Sequence, residues 1–288
     1  FLVLAPGFPD YMAMRVEPFF TWFYLFAWWA YILGLESFLH LKAGWSTLYE
    51  EPRRFLFWLP LSIACWLVFE LINVRLDNWG YLNLPEQTWL RWGGYAASFA
   101  TVLPGLFVTE RFLSFLGAWE DSRSEPWDRP LRHPGATMAL GVAMLLLPLV
   151  WPRYFFPLVW GGVVLLLDPV SRRLGGESLL KDLARGRPGR ILRLLSAGLI
   201  CGLLWESWNF FAGAKWFYTV PFVGEIKLFE MPVLGFLGFP PFALECFCMA
   251  ACAETIASRW QGMGQGARWF TAWLCLISLL VFFSFVFY

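Results

Sequence analysis

Histidine is almost missing from this chain: of 288 residues only His40 and His133 carry an imidazole, and both fall at or beyond the ends of apolar runs. A di-haem b-type cytochrome needs paired histidines inside its bundle, so that class is excluded. There is no Cys-x-x-Cys-His, no zinc metallopeptidase motif and no serine nucleophile elbow. The glycines of "SRRLGGESLL" lack the Gly-Lys-Ser/Thr ending that a phosphate-binding loop requires. The six cysteines (Cys65, Cys201, Cys246, Cys248, Cys252, Cys275) avoid the loops, which excludes a disulfide framework and reads as small buried hydrophobes. Cys246, Cys248 and Cys252 have no histidine beside them, so no metal site and no cofactor are expected. Charge is scarce too, at 15% of residues against about 25% in a soluble domain. A net charge of +1 gives no reason to expect nucleic acid as a partner. The chain opens "FLVLAPGFPDYMAM" without Met and without the basic start of a signal peptide, so a processed or trimmed chain is expected.

What is present is apolar and aromatic. Hydrophobic residues make up 59% of the chain and aromatic residues 20%, with a mean hydropathy of +0.56. An integral membrane protein is expected. Runs of the length that crosses a bilayer, about 20 residues, centre on 18–39, 55–73, 91–111, 134–151, 154–171, 191–211, 231–254 and 268–288. The fold class is therefore all-α, a polytopic transmembrane bundle of eight helices. "WPRY" makes the fourth and fifth a tight hairpin, with Pro152 closing the fourth. Lys and Arg number sixteen in the loops joining spans 1–2, 3–4, 5–6 and 7–8, against six on the other side. The positive-inside rule then puts those loops in the cytoplasm and both termini outside, as in a bacterial-type inner membrane. The basic loop "SRRLGGESLLKDLARGRPGR" is a positive-inside loop that can touch anionic lipid headgroups.

The two halves resemble each other. "CWLVFELINVRLDNWGY" (65–81) matches "CGLLWESWNFFAGAKWFY" (201–218): Cys65, Glu70 and Asn73 precede Cys201, Glu206 and Asn209 by 136 residues each. After one inserted residue Trp79 and Tyr81 match Trp216 and Tyr218. Pro104 lies six residues before Glu110 and Pro240 five before Glu245, while "GWSTLYEEPRR" and "GESLLKDLARGRPGR" share Gly-x-Ser-x-Leu. Two repeats of four helices are expected, 1–151 and 152–288, in one orientation about an axis along the membrane normal. The two Glu-x-x-Asn pairs would then face each other across that axis.

Glu70 with Asn73 and Glu206 with Asn209 are i, i+3 pairs, so each acid shares a helix face with an amide that can orient it. They sit about one turn from the outer interface, where a helix-end polar pair in reach of water is the plain alternative. Glu245 lies deep in its span, where an ionisable group is costly and by default marks a functional site. Pro240 and Pro241 are expected to kink that helix and free carbonyls, one of which a neutral Glu245 could bond instead. Glu110 with Arg111 reads as an interfacial ion pair. Glu36 and Asp168 read as solvated or Arg-paired helix ends, and Lys215, Lys227, Glu225 and Glu230 as a solvated loop. Trp79, Tyr81, Trp216 and Tyr218 fit an aromatic belt, or a surface that stacks a flat ligand. The candidate catalytic acids are thus Glu70, Glu206 and Glu245. The candidate ligand contacts are Asn73, Asn209, Trp79, Tyr81, Trp216 and Tyr218.

"PPFALECF" and "PGLFVTERF" resemble membrane-bound lycopene cyclases and carotenoid hydratases, which have repeated helical units with Pro and Glu near helix centres. That resemblance implies proton-transfer chemistry on an isoprenoid. The paired Glu-Glu of those cyclases is replaced here by Glu110-Arg111 and Glu245-Cys246. Three functions stay open: a non-redox structural or lipid- or pigment-binding subunit of a membrane complex, an enzyme acting on a carotenoid or other lipid through intramembrane carboxyl groups, and a duplicated-repeat transporter. The expected partners are membrane lipids, other membrane subunits or a hydrophobic pigment.

Overall fold

The structure is a computed structural model that describes residues 15–222 and 226–260. The expected eighth span, Cys275 and Glu225 lie outside the described residues. The chain is mainly helical. Its first part runs α1 (Phe23–Ala43), α2 (Thr47–Glu50), α3 (Pro52–Leu76), β1 (Trp79–Leu82), α4 (Thr88–Phe99) and α5 (Val102–Phe115). Then follow α6 (Arg129–Arg132), α7 (Pro134–Val150), α8 (Pro152–Phe155), a 3-10 turn, α9 (Val159–Arg173) and α10 (Leu179–Ala184). The last described part holds α11 (Gly189–Phe211), β2 (Lys215–Tyr218), β3 (Lys227–Leu228), β4 (Met231–Pro232), a 3-10 segment (Val233–Gly238) and α12 (Phe239–Trp260). Four helical stretches are long and apolar enough to cross a membrane, Pro52–Leu76, Pro152–Arg173, Gly189–Phe211 and Val233–Arg259, and Pro134–Val150 is shorter but apolar. The chain is a helical membrane protein.

Helix ends follow local chemistry. α1 stops where Gly44 takes φ +72° and returns its N–H to the His40 carbonyl, a conformation that costs a residue without Cβ little. Prolines open α3, α7 and α8, in the first turn where a helical N–H has no partner to lose. The α7–α8 junction at Trp151–Pro152 is the hairpin expected from "WPRY".

Two expectations need correction. The run 91–111 is two helices, α4 and α5, joined over Ala100 and Thr101. Ser62 of α3 explains why the break is tolerated: its hydroxyl donates to the Phe99 carbonyl at 2.5 Å and accepts from the Leu103 N–H at 3.0 Å. The Thr101 hydroxyl donates to the Ser98 carbonyl at 2.6 Å. Buried backbone groups at the break are thereby paired, as an apolar setting demands. Pro240 and Pro241 do not kink a helix interior. The preceding segment is a 3-10 turn and α12 begins at Phe239, so both prolines occupy a first turn, where the missing N–H is harmless.

The chain forms two compact units: one of residues 1–63, 77–122 and 188–244, the other of 64–76, 123–187 and 245–288. In the first, α11 packs on α5 and on α1, the latter through edge-to-face indoles, with Trp28 4.9 Å from Trp208 and 5.9 Å from Trp205. β1 and β2 pair antiparallel in this unit, Trp79 opposite Tyr218, Gly80 opposite Phe217 and Tyr81 opposite Trp216. In the second unit α7 and α9 approach backbone to backbone. A Cβ on Gly141 would lie 2.7 Å from the Leu166 nitrogen and 2.8 Å from the Gly162 oxygen, a small-residue contact of the kind that lets membrane helices close on each other.

Candidate functional site

The segment 205–218 supplies the most connected polar cluster. α11 ends at Phe211 and the three residues Ala212, Gly213 and Ala214 carry the chain into β2. Asn209 fixes that turn: its Nδ2 donates to the Trp216 carbonyl and its Oδ1 accepts from the Trp216 N–H, both at 2.9 Å. An amide matches a peptide unit in this way because it carries one donor group and one acceptor group side by side. With β2 so held, the Tyr218 hydroxyl donates to Glu206 Oε1 at 2.6 Å and accepts from Trp216 Nε1 at 2.8 Å. Trp216 Nε1 also lies 3.3 Å from Glu206 Oε1. Burial above all, and then the neighbouring Glu206 carboxyl, holds the Tyr218 phenol well above its ordinary value. It therefore stays a donor. Glu206 and Asn209 are each 0% exposed, which corrects the expected water-accessible position. Tyr24 stands edge-on to Trp216 at 4.9 Å, and Trp205 lies 6.1 Å from Trp216. Glu206 Oε2 is buried and has no protein partner among the described residues.

The other candidates are bonded elsewhere. Glu70 Oε1 accepts from Trp66 Nε1 at 2.7 Å, one turn back on α3, and both Glu70 and Asn73 are buried. Glu245 Oε1 accepts from the Val163 N–H at 3.0 Å, at a place where α9 is broken by a non-helical Trp160. Trp79 and Tyr81 meet the Glu206 cluster through the strand pairing with Tyr218 and Trp216.

Several residues first read as solvated are structural. Asp168, 1% exposed, accepts from the Ser178 hydroxyl and the Leu179 N–H at 2.6 Å and from the Leu180 N–H at 3.3 Å, capping α10. Glu36, also 1% exposed, accepts from the Leu48 N–H at 2.9 Å at the start of α2. Carboxylates are well placed at such helix N-termini, where orphan N–H groups and the dipole both favour them. Lys215 pairs with Glu230 at 2.7 Å and is half-buried. Glu110 pairs with Arg193 at 2.6 Å rather than with Arg111, whose guanidinium lies 3.6 Å above the Trp45 ring. The repeated Gly-x-Ser-x-Leu was the signal that could have exposed the capping acids, because Glu36 and Asp168 precede it at equal spacing.

The fold and this cluster define a helical membrane protein with a buried carboxyl, amide and aromatic group at the end of an apolar helix. No family model matches the chain, and no curated protein and no solved structure matches it.

Proposed function

We propose that the chain is a non-redox structural or lipid- or pigment-binding subunit of a membrane complex, built from two repeats, 1–151 and 152–288, with both termini on the non-cytoplasmic side. The observation that carries it is the employment of the buried polar groups. Asn209 holds a strand, Glu36 and Asp168 cap helices, and Glu206 and Glu245 each use one oxygen on the fold itself. Such groups fix a shape for a hydrophobic partner. Exposed Leu199, Ile200 and Leu203 on one stretch of α11 offer apolar surface to lipid, pigment or another subunit.

Reciprocal contacts support the duplication. Gly44, Ser46 and Leu48 precede Gly176, Ser178 and Leu180 by 132 residues, and so does Glu36 precede Asp168. Each acid accepts from the leucine N–H of its own set. Beyond Pro52 and Pro188 the separation is 136. With those spacings Trp28 on Trp205 has its counterpart in Trp160 on Phe69. Ser62 at the α4–α5 break has its counterpart in Gly198, where an added Cβ would lie 2.5 Å from the Phe239 oxygen. The β1–β2 register maps onto itself when Trp79 and Tyr81 are exchanged for Trp216 and Tyr218.

The test is purification from native membranes in mild detergent, followed by mass spectrometry of everything that co-purifies. A stoichiometric hydrophobic ligand or a constant set of membrane proteins is expected. A lone chain with only bulk lipid would overturn the proposal. The enzyme reading, on a carotenoid or other isoprenoid, is favoured by one feature, the unpartnered Glu206 Oε2 beside Tyr218. It would be carried by loss of turnover in Glu206→Gln with assembly intact.

A further inference from the structure

Glu245 differs from the other buried acids. One oxygen accepts from the Val163 N–H, and the other, Oε2, is buried without a protein partner among the described residues. No basic side chain pairs with it there. It stands 12 residues from Val233 and 14 from Arg259, the ends of its candidate span. A carboxylate so placed is expensive unless a positive charge is bound to it.

The neighbouring backbone adds oxygen ligands. Trp160 has φ −81° and ψ +43°, so α9 is broken there. The Val163 N–H reaches Glu245 Oε1 at 3.0 Å, so the Val159 carbonyl at the start of that helix shares with the acid the donor that a continuous helix would give it alone. The carbonyls of Phe156 and Pro157 accept from the Val159 N–H, and each keeps a second lone pair. Broken helices that bring freed carbonyls to a carboxyl group near mid-span are how carriers hold small cations. Phe69 covers the break, its ring stacked 5.4 Å from Trp160.

The first half shows that packing alone does not need the acid. Under the proposed duplication, on which this comparison rests, the spacings of 132 and 136 set Val163 against Tyr31 and Glu245 against Thr109, one residue before the Glu110 with which the proline motif matches it. Those two close the same joint with a neutral hydroxyl pair at 2.8 Å. The acid and the broken helix belong to the second half only.

We propose that Glu245 Oε2 and the carbonyls at the Trp160 break bind a monovalent cation of the size of sodium. An all-oxygen set with a single charge suits a hard monovalent ion, and among the described residues no three His, Cys, Asp or Glu gather to hold a transition metal. The experiment is thermal unfolding of the full-length purified protein in sodium chloride against choline chloride at equal ionic strength. Wild type should melt higher in sodium, with a saturable dependence on its concentration. Glu245→Gln keeps an oxygen for the Val163 N–H, so it should fold and lose the sodium dependence. Glu206→Gln should retain it. Equal melting in both salts, or a sodium effect that survives in Glu245→Gln, overturns the proposal. A pH-dependent shift with no sodium effect means that the carboxyl carries a proton instead, and also overturns it. None of these outcomes bears on co-purifying partners, so the subunit reading stands or falls separately.

Discussion

At the scale of single residues, Asn209 and Tyr218 do different work on the same strand. Asn209 satisfies both polar groups of the Trp216 peptide, and Asn209→Ala would strand them where the residue is fully buried. A loss of about 1–3 kcal/mol is expected, the cost of unpaired buried polar groups, read as a lower midpoint in denaturant unfolding. Tyr218 makes a prediction in pH. Its folded phenol is held above its ordinary value by burial first and Glu206 second, whereas the unfolded phenol ionises near about 10. The unfolded state therefore loses its proton first as pH rises. The contribution of Tyr218 to stability is complete below that unfolded value and is lost as pH climbs through the folded one. Melting midpoints measured from neutral to alkaline pH should fall less steeply in Tyr218→Phe than in wild type. Parallel curves would show that the phenol does not carry the alkaline sensitivity.

At the scale of elements, close helix contacts set the tightest constraints. Gly141 faces backbone, the Leu166 nitrogen and Gly162 oxygen, which cannot move aside as a side chain can. Gly141→Ala should cost about 1–3 kcal/mol through overpacking, while Gly135→Ala in the same helix meets nothing within 4 Å and should be near neutral. Equal melting of the two variants would contradict the α7–α9 contact. The helices themselves were largely legible in the chain, because apolar runs and first-turn prolines are local signals. Repetition marked Glu206, Asn209, Trp216 and Tyr218, but not their pairing: Asn209 does not orient Glu206 as expected, because both its amide atoms go to the Trp216 peptide and Glu206 takes Tyr218 instead. The break after Phe99 was not legible, since 91–111 is apolar throughout and the break is paid for by Ser62 on another helix. The capping by Asp168 is legible only through the repeated Gly-x-Ser-x-Leu, since donor and acceptor lie ten residues apart and meet through the fold. Glu110 was assigned to its sequence neighbour Arg111, yet it is Arg193, 83 residues on, that reaches it.

At the scale of the whole molecule, the open question is which broken helices cross the membrane. α4 and α5 hold 12 and 14 residues, each short of the roughly 20 that span a bilayer. They cross only as a pair joined at the Ser62 bridge; otherwise they dip in and return. The proposed orientation requires crossing, because under the positive-inside rule the loop after β1 and the loop after α5 would lie on opposite sides. Glu86 and Ser124 lie exposed in those two loops, and the five described cysteines are buried. With Cys275 changed to Ser, Glu86→Cys and Ser124→Cys therefore give single reporters for a membrane-impermeant maleimide. In right-side-out vesicles Glu86→Cys should label at once and Ser124→Cys only after permeabilisation. Labelling of both from outside would mean that α4 and α5 form a re-entrant loop. The first proposed half would then hold an odd number of crossings, and the single orientation proposed for the two halves would fall.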